Sequence, residues 1–231
     1  LKTGLSDYAL SAGALRQNYG LKNFDYGSAA TSGSYRYGLT DWLTLESHAE
    51  AAPSLALGGA GMQLKLGAYG VVNGSVSQSQ MQGDHGRQYG WGYQYSTSRF
   101  SLGMQQTQRT TGFGNLALYA DRENSNEITE FNTLSRRSAQ YNASVSLDRF
   151  GSVGAALIDI TSGDGSRTRL MNLSWSKSLW GSSNLYVSAS RDRERGDWSG
   201  AIGLTIPFGE LSSASVLSLI HISEPTRRVV I

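Results

Sequence analysis

Apolar and polar side chains alternate along many segments of this chain. Between 42 and 50, Leu43 and Leu45 alternate with Thr44, Glu46 and His48. Successive side chains of a β-strand point to opposite faces, so the pattern predicts strands with one apolar and one polar face. Twelve strands are predicted in this way, at 5–15, 29–37, 42–51, 55–66, 70–80, 87–96, 100–109, 137–147, 151–161, 167–177, 183–191 and 197–208.

Short turns recur at intervals of about 30 residues, a unit that holds two strands long enough to cross an outer membrane. The links that join an odd strand to the next even one are longer, apart from the short link near Pro53. They lie at 16–28, 81–86, 110–136, 162–166 and 192–196. Loops that are longer on one side are typical of bacterial outer-membrane barrels. The sequence therefore predicts an all-β fold, an antiparallel up-and-down transmembrane β-barrel.

The same alternation separates candidate pore residues from candidate membrane residues, because such barrels are polar inside and apolar outside. The lumen-facing candidates are Arg36, Thr44, Glu46, His48, Glu50, Gln140 and Asn142. The candidates for the lipid face or its aromatic interface are Tyr35, Tyr37, Leu43, Leu45, Tyr89, Trp91, Val145, Leu173, Trp198, Ile202, Leu204 and Phe208. Aromatic residues stand at both ends of the stripe 198–208, as expected for a segment that spans two membrane interfaces.

The composition agrees with a barrel and argues against several kinds of chemistry and partner. Charged residues make up 16% of the 231 residues, below the roughly 25% usual for soluble domains. No run of 18 apolar residues is present, so no membrane helix is predicted. The formal charge of +2 is too small to favour a nucleic-acid partner, and the absence of cysteine excludes disulfide and thiolate chemistry. Because the chain begins at Leu1 rather than Met, we expect it to be an interior piece of a larger protein.

Glycines interrupt two of the predicted strands, which normally weakens a strand. They are Gly58, Gly59, Gly61, Gly90 and Gly92. One interpretation is that they let a coiled sheet bend around a wide barrel. The other is that they lie opposite bulky Tyr and Trp side chains of a neighbouring strand.

Glu46, His48 and Glu50 form the one constellation with ligating chemistry, since residues two apart share a strand face. A zinc site is conceivable with these residue types, but a hydrophilic patch on a pore wall is the simpler interpretation. The chain contains no Gly-x-Ser-x-Gly nucleophile elbow. We therefore predict no catalytic residue, no metal site and no cofactor.

Four segments resemble fimbrial outer-membrane ushers, and most closely the archaic, spore-coat-U-like branch of chaperone–usher systems. They are 5–20, 34–51, 99–103 and 204–209. The resemblance covers 1–216 and implies a pore of roughly two dozen strands, of which about twelve lie here. It implies secretion and assembly of pilus subunits, with outer-membrane lipid around the barrel. Periplasmic chaperone–pilin complexes would be partners, through domains that this chain does not include. A general porin and a barrel enzyme remain as alternatives.

Residues 217–231 differ from the rest. The run 217–227 resembles the translation of a transposase adapter used in DNA sequencing libraries, and it directly follows a plausible barrel segment. We therefore predict that 1–216 is partial usher barrel and that 217–231 is not native.

Overall fold

A computed structural model describes residues 1–17, 23–124, 134–208 and 212–222. Within them, thirteen strands form one antiparallel sheet in which each strand lies next to the following one. The strands are β1 (Ser6–Arg16), β2 (Tyr26–Gly38), β3 (Leu43–Ala52), β4 (Leu55–Lys65), β5 (Val71–Met81), β6 (Asp84–Ser96), β7 (Phe100–Arg109), β8 (Arg137–Ser146), β9 (Ser152–Thr161), β10 (Arg167–Ser178), β11 (Asn184–Asp192), β12 (Trp198–Phe208) and β13 (Ser212–Ile222), and the α-helix is α1 (Leu116–Asn124).

All twelve strands expected from alternation are present, and β2 and β6 begin three residues earlier than expected. The expectation of a long link at 81–86 is wrong. Only Gln82 and Gly83 separate β5 from β6, and both have positive φ, at 52° and 94°. Two residues with φ above zero form the primed turn that suits a tight hairpin, and glycine adopts this conformation readily. A further difference is β13, which alternation up to 208 did not include.

The chain divides into two compact units. The first consists of Leu1–Tyr93, Gln105–Ser138 and Thr161–Ser166. In it, β2 pairs with β3 so that Arg36 lies opposite Glu46 and Tyr37 lies opposite Leu45. Directly paired residues share a face of the sheet, so Arg36 and Glu46 lie on one face, the polar face of this unit. Tyr37 and Leu45 lie on the other, its apolar face.

The buried core of the first unit lies on this polar face. Leu55 pairs with Ala52 and with Met81, which places all three on the same side as Glu50. Leu118 and Tyr119 of α1 complete a buried cluster with Leu55 and Met81. Helix α1 therefore covers the part of the polar face where the strands carry large apolar side chains.

The second unit consists of Gln94–Met104, Ala139–Ile160 and Arg167–Ile231. Leu173 pairs with Ala189, Ile202 pairs with Val187, and Leu204 pairs with Leu185. These residues share one side, the apolar face of this unit. Its polar face carries hydroxyl pairs between neighbouring strands: Ser101 with Ser144, Ser152 with Ser176 and Ser190 with Ser199, with oxygen–oxygen distances of 2.6, 2.9 and 2.6 Å.

Candidate functional site: a polar wall and the helix lying on it

Arg36 joins three strands across the polar face of the first unit. Asp7 of β1 and Glu46 of β3 both lie opposite Arg36 in the strand register. The Arg36 Nε donates to Glu46 Oε1 at 3.1 Å, and its Nη1 lies 3.9 Å from Asp7 Oδ2. The side chains are 41% and 42% exposed for Arg36 and Glu46, so water screens the pairs and each adds little stability. They place three charges of alternating sign side by side across β1, β2 and β3 on the polar face.

Glu50 connects the wall to α1. One carboxylate oxygen, Oε1, lies 2.9 Å from His48 Nε2. The other, Oε2, accepts a hydrogen bond from the backbone N–H of Leu116, at 2.6 Å. The first N–H groups of a helix have no partner inside the helix and carry partial positive charge. A carboxylate placed there satisfies one of them and is itself stabilised.

Further polar contacts fix α1 against neighbouring strands. Ser79 Oγ accepts from the backbone N–H of Gly114 at 2.9 Å in a buried position. The Tyr119 hydroxyl donates to Ser28 Oγ at 3.3 Å, and Arg122 Nη1 donates to Gln82 Oε1 at 3.0 Å. The helix is thus attached through Tyr119 and Arg122, and the segment before it through Gly114.

Sequence reasoning assigned α1 to a loop, the link 110–136. Its start was nonetheless visible, because Asn115 is a favoured N-cap residue and its Oδ1 accepts from the N–H of Leu118 at 2.9 Å. Leu116 and Tyr119 follow at the three-residue spacing of one helix face, and both pack in the cluster. The helix is short, so its periodicity was a weak signal beside the surrounding strands.

The candidate ligands Glu46, His48 and Glu50 share a face but do not converge. Glu46 is paired with Arg36, whereas His48 and Glu50 pair with each other. Within the described ranges, no group of three or more His, Cys, Asp or Glu is arranged to hold a metal ion.

The lumen-facing candidates lie on the polar faces of their units. In the first unit Thr44 is buried, Arg36, Glu46 and Glu50 are partly buried, and His48 is exposed. In the second unit, Asn142 lies beside Gly103, because a β-carbon at Gly103 would overlap the Asn142 amide. Gln140 is two residues away on the same strand and is exposed.

The lipid-face candidates lie on the opposite sides of the strands. In the first unit they are Tyr35, Tyr37, Leu43, Leu45, Tyr89 and Trp91. Tyr89 and Trp91 are assigned from Gly90 between them, because a β-carbon at Gly90 would point at Ser75 on the polar face. In the second unit they are Val145, Leu173, Trp198, Ile202 and Leu204. The Phe208 side chain lies outside the described part of the structure. Many of these large side chains are open to the surroundings, among them Leu173 at 57% and Ile202 at 50% exposure.

An antiparallel sheet with one polar and one apolar face is the architecture of an outer-membrane barrel wall. The model of the family described as outer membrane usher protein matches residues 1–227. The chain belongs to this outer membrane usher family. No curated protein matches it.

Several solved structures are similar to this chain. The structure of the P pilus usher (PapC) translocation pore has a TM-score of 0.69 at 17% identity, covering 96% of this chain and 46% of that one. A crystal structure of the PapC translocation pore has a TM-score of 0.61, with the same identity and coverage. An E. coli P pilus tip assembly intermediate, PapC–PapD–PapK–PapG, has a TM-score of 0.58 at 16% identity. The match covers 96% of this chain and 32% of that one. At these identities the likeness shows the fold, and the chain spans about half or less of the matched chains. No α-helix in the described residues is long and apolar enough to cross a membrane.

Proposed function

We propose that this chain forms part of the wall of an outer-membrane pore that secretes and assembles chaperone-delivered pilus subunits. The observation that carries the proposal is the two-sided sheet of an usher family member. Its polar faces bear serines, amides and paired charges, and its apolar faces bear exposed leucine, isoleucine and aromatic side chains.

The polar face suits the passage of a folded protein. Hydroxyl and amide side chains offer many weak contacts, and the arginine and carboxylate charges described above are already paired within the wall. On the described part of these faces a translocating subunit therefore meets serine hydroxyls and the paired charges of Arg36, Asp7 and Glu46. In this proposal the polar faces line the lumen and α1 lies on the lumenal side, while the apolar faces meet lipid. Chaperone–pilin complexes are the proposed partners. The similar P pilus tip assembly intermediate contains PapC together with PapD, PapK and PapG.

The test is pilus assembly in cells that lack their own usher but carry the matching chaperone and pilin genes. Expressing the usher that carries this chain should restore surface pili. At matched usher levels, Glu46→Ala and His48→Ala should each leave pili in place, because a wall spreads its contacts over many residues. Complete loss of pili from His48→Ala, with the barrel still folded, would instead indicate a specific chemical role, since single catalytic residues typically account for orders of magnitude in rate.

Two other functions give different results in the same cells. A general porin would raise permeability to small solutes without assembling pili. A barrel enzyme would hydrolyse lipid or peptide substrates. We propose that the chain is not an enzyme and takes no cofactor, so hydrolysis by the purified usher that is lost on mutation of one residue would refute this part of the proposal.

We also propose that the native wall ends at 216. Up to Val216, β13 keeps the alternation of its neighbour, because Val216 pairs with Leu204 on the apolar face. Beyond it the pattern inverts at 217–219 only, because Ile220 and Ile222 again pair with Gly200 and Trp198 on the apolar face. Leu217 and Leu219 pair with Gly203 and Ala201 on the polar face, and Ser218 pairs with Ile202 on the apolar face. Sequencing the gene from genomic DNA tests this, and genomic codons for 217–231 in the same frame would refute it.

A further inference from the structure

The apolar face of the second unit contains a groove of about 510 Å³. Alanine side chains of β8, β9 and β11 line it, namely Ala143, Ala155 and Ala189, between the larger Tyr141 and Leu173. Short side chains among long ones leave a depression on an otherwise continuous apolar surface. The volume falls within the range of small-molecule pockets.

One end of this groove carries positive charge and an aromatic ring. Arg191 lies opposite Trp198 in the strand register, and its guanidinium carbon is 5.0 Å from the centre of the Trp198 ring. Both residues line the groove. Among the residues that the structure describes, no acidic side chain lies within ion-pair distance of Arg191. Its guanidinium keeps donors for a ligand while the ring holds it in place.

Two acidic residues of this unit pair with arginines other than Arg191. Asp192 Oδ2 lies 3.8 Å from Arg195 Nε. The other is Asp159 of β9. Arg167 binds both of its carboxylate oxygens at 2.8 and 2.6 Å, and Arg169 Nε lies 3.7 Å from Oδ2. Two arginines thus share the Asp159 carboxylate.

An apolar groove that ends at an arginine and a tryptophan matches an amphiphile with an acyl chain and an anionic head. Arginine binds phosphate through two parallel hydrogen bonds, and tryptophan favours the level of the headgroups. We propose that the groove binds one phosphate-bearing anionic lipid, with an acyl chain along Ala143, Ala155 and Ala189 and the phosphate on Arg191. This rests on the proposed function only in that the apolar face must meet the membrane.

Lipid retention by the folded usher that carries this chain tests the inference. The protein in mild detergent is supplied with dioleoyl phosphatidic acid or with dioleoyl phosphatidylcholine, and bound lipid is counted by native mass spectrometry. The anionic lipid should be retained preferentially. Arg191→Gln should weaken its retention by about tenfold or more, because it removes the charge-assisted hydrogen bonds to the phosphate. Ala189→Leu, which fills the groove, should lower retention of both lipids.

Arg149→Gln is the matched control. Arg149 also stacks on an aromatic ring, 4.9 Å from the centre of Phe150, but it does not line the groove. Its loss should leave retention unchanged, and heat-modifiable mobility on gels should show that every variant is folded. Equal retention by wild type and Arg191→Gln would overturn the inference. Displacement of the lipid by inorganic phosphate alone would also overturn it, because a free-anion site needs no groove.

A label at Ile202→Cys separates failure of the inference from failure of its premise. Ile202 is on the same apolar face, half exposed and outside the groove. Suppose that brominated lipid in vesicles quenches this label but Arg191→Gln does not change lipid retention. This result would refute the lipid site alone. No quenching would refute the lipid-facing assignment on which the site rests, whatever the outcome of the pilus assay.

Discussion

The Glu50 carboxylate accepts a hydrogen bond from the backbone N–H of Leu116 at 2.6 Å, so a residue of the sheet holds the first turn of α1. Glu50 and Glu46 share a strand face and a residue type, yet they act differently. Glu46 pairs with Arg36 within the sheet, whereas Glu50 links the sheet to the helix. Its side chain is only 17% exposed, compared with 42% for Glu46. Burial makes the loss of its partner more costly, because water cannot replace the bond.

Glu50→Ala is therefore expected to loosen α1, and Glu46→Ala is not. A hydrogen bond to a charged group contributes about 1.5–3 kcal/mol, so amide exchange at 116–119 should speed up by about tenfold or more in Glu50→Ala. Hydrogen exchange with mass spectrometry on the folded usher measures this. Equal exchange in the two variants would show that the apolar cluster alone holds the helix.

The strands were predictable from the sequence because successive side chains of a strand point to opposite faces. In a barrel wall one face is polar and the other apolar, so every strand shows the same period of two. Helix α1 was not, because its cluster joins residues far apart in sequence, such as Leu55 and Leu118. The local pattern also did not show that Glu50 and Glu46 have different partners. That difference arises because Leu116 of α1 lies next to the Glu50 carboxylate, whereas Arg36 lies next to that of Glu46.

The strand glycines show a similar limit. A β-carbon at Gly59 or Gly90 would overlap the hydroxyl of Ser77 or Ser75, respectively, rather than a bulky aromatic side chain of a neighbouring strand. For these two glycines the second interpretation from sequence is therefore wrong. The serines of β5 take up the space that a side chain would need, a relationship that depends on the pairing register.

Gly86→Ala should detach the segment that leads into α1. A β-carbon at Gly86 would overlap the backbone nitrogen and Cα of Phe113, and backbone atoms cannot turn aside as a flexible side chain does. We expect a loss of about 1–3 kcal/mol, typical of overpacking. Gly74→Ala is the control, because nothing lies within 4 Å of its added carbon. Urea unfolding in detergent compares the two, and equal stability would contradict the close approach.

Asp41 should retain its charge in acid better than an ordinary aspartate. Thr3 donates to Asp41 Oδ1 through its backbone N–H and its hydroxyl, both at 2.9 Å, and these bonds lower the pKa of the carboxyl, the backbone bond most. A lowered pKa means that this contact stabilises the fold above the ordinary pKa of about 4 and is lost as the pH falls through the lowered value.

Thr3→Val removes the hydroxyl bond and leaves the backbone bond, so the pKa of Asp41 should rise part of the way to its ordinary value. Carbon-13 NMR of labelled aspartate carboxyls follows the titration. Asp164 is the internal control, because Ser166 lowers the pKa of that carboxyl without any contact to Thr3. An Asp41 titration that Thr3→Val leaves unchanged would disprove the assigned cause.

Leu204 and Thr205 are adjacent on β12 and decide which face meets lipid. Leu204 pairs with Leu185 on the apolar face, and Thr205 pairs with Asn184 on the polar face. Arginine on a lipid face costs about 2–4 kcal/mol at the bilayer midplane and about 0–1 kcal/mol near the interface, while a lumenal arginine stays in water. Leu204→Arg should therefore destabilise the folded barrel in vesicles, as measured by its unfolding free energy, and Thr205→Arg should change little. Water-soluble thiol reagents should correspondingly label Thr205→Cys faster than Leu204→Cys. If Thr205→Arg proved the more damaging and Leu204→Cys the faster to react, the two faces would be exchanged, and the polar wall proposed here would lie against the membrane.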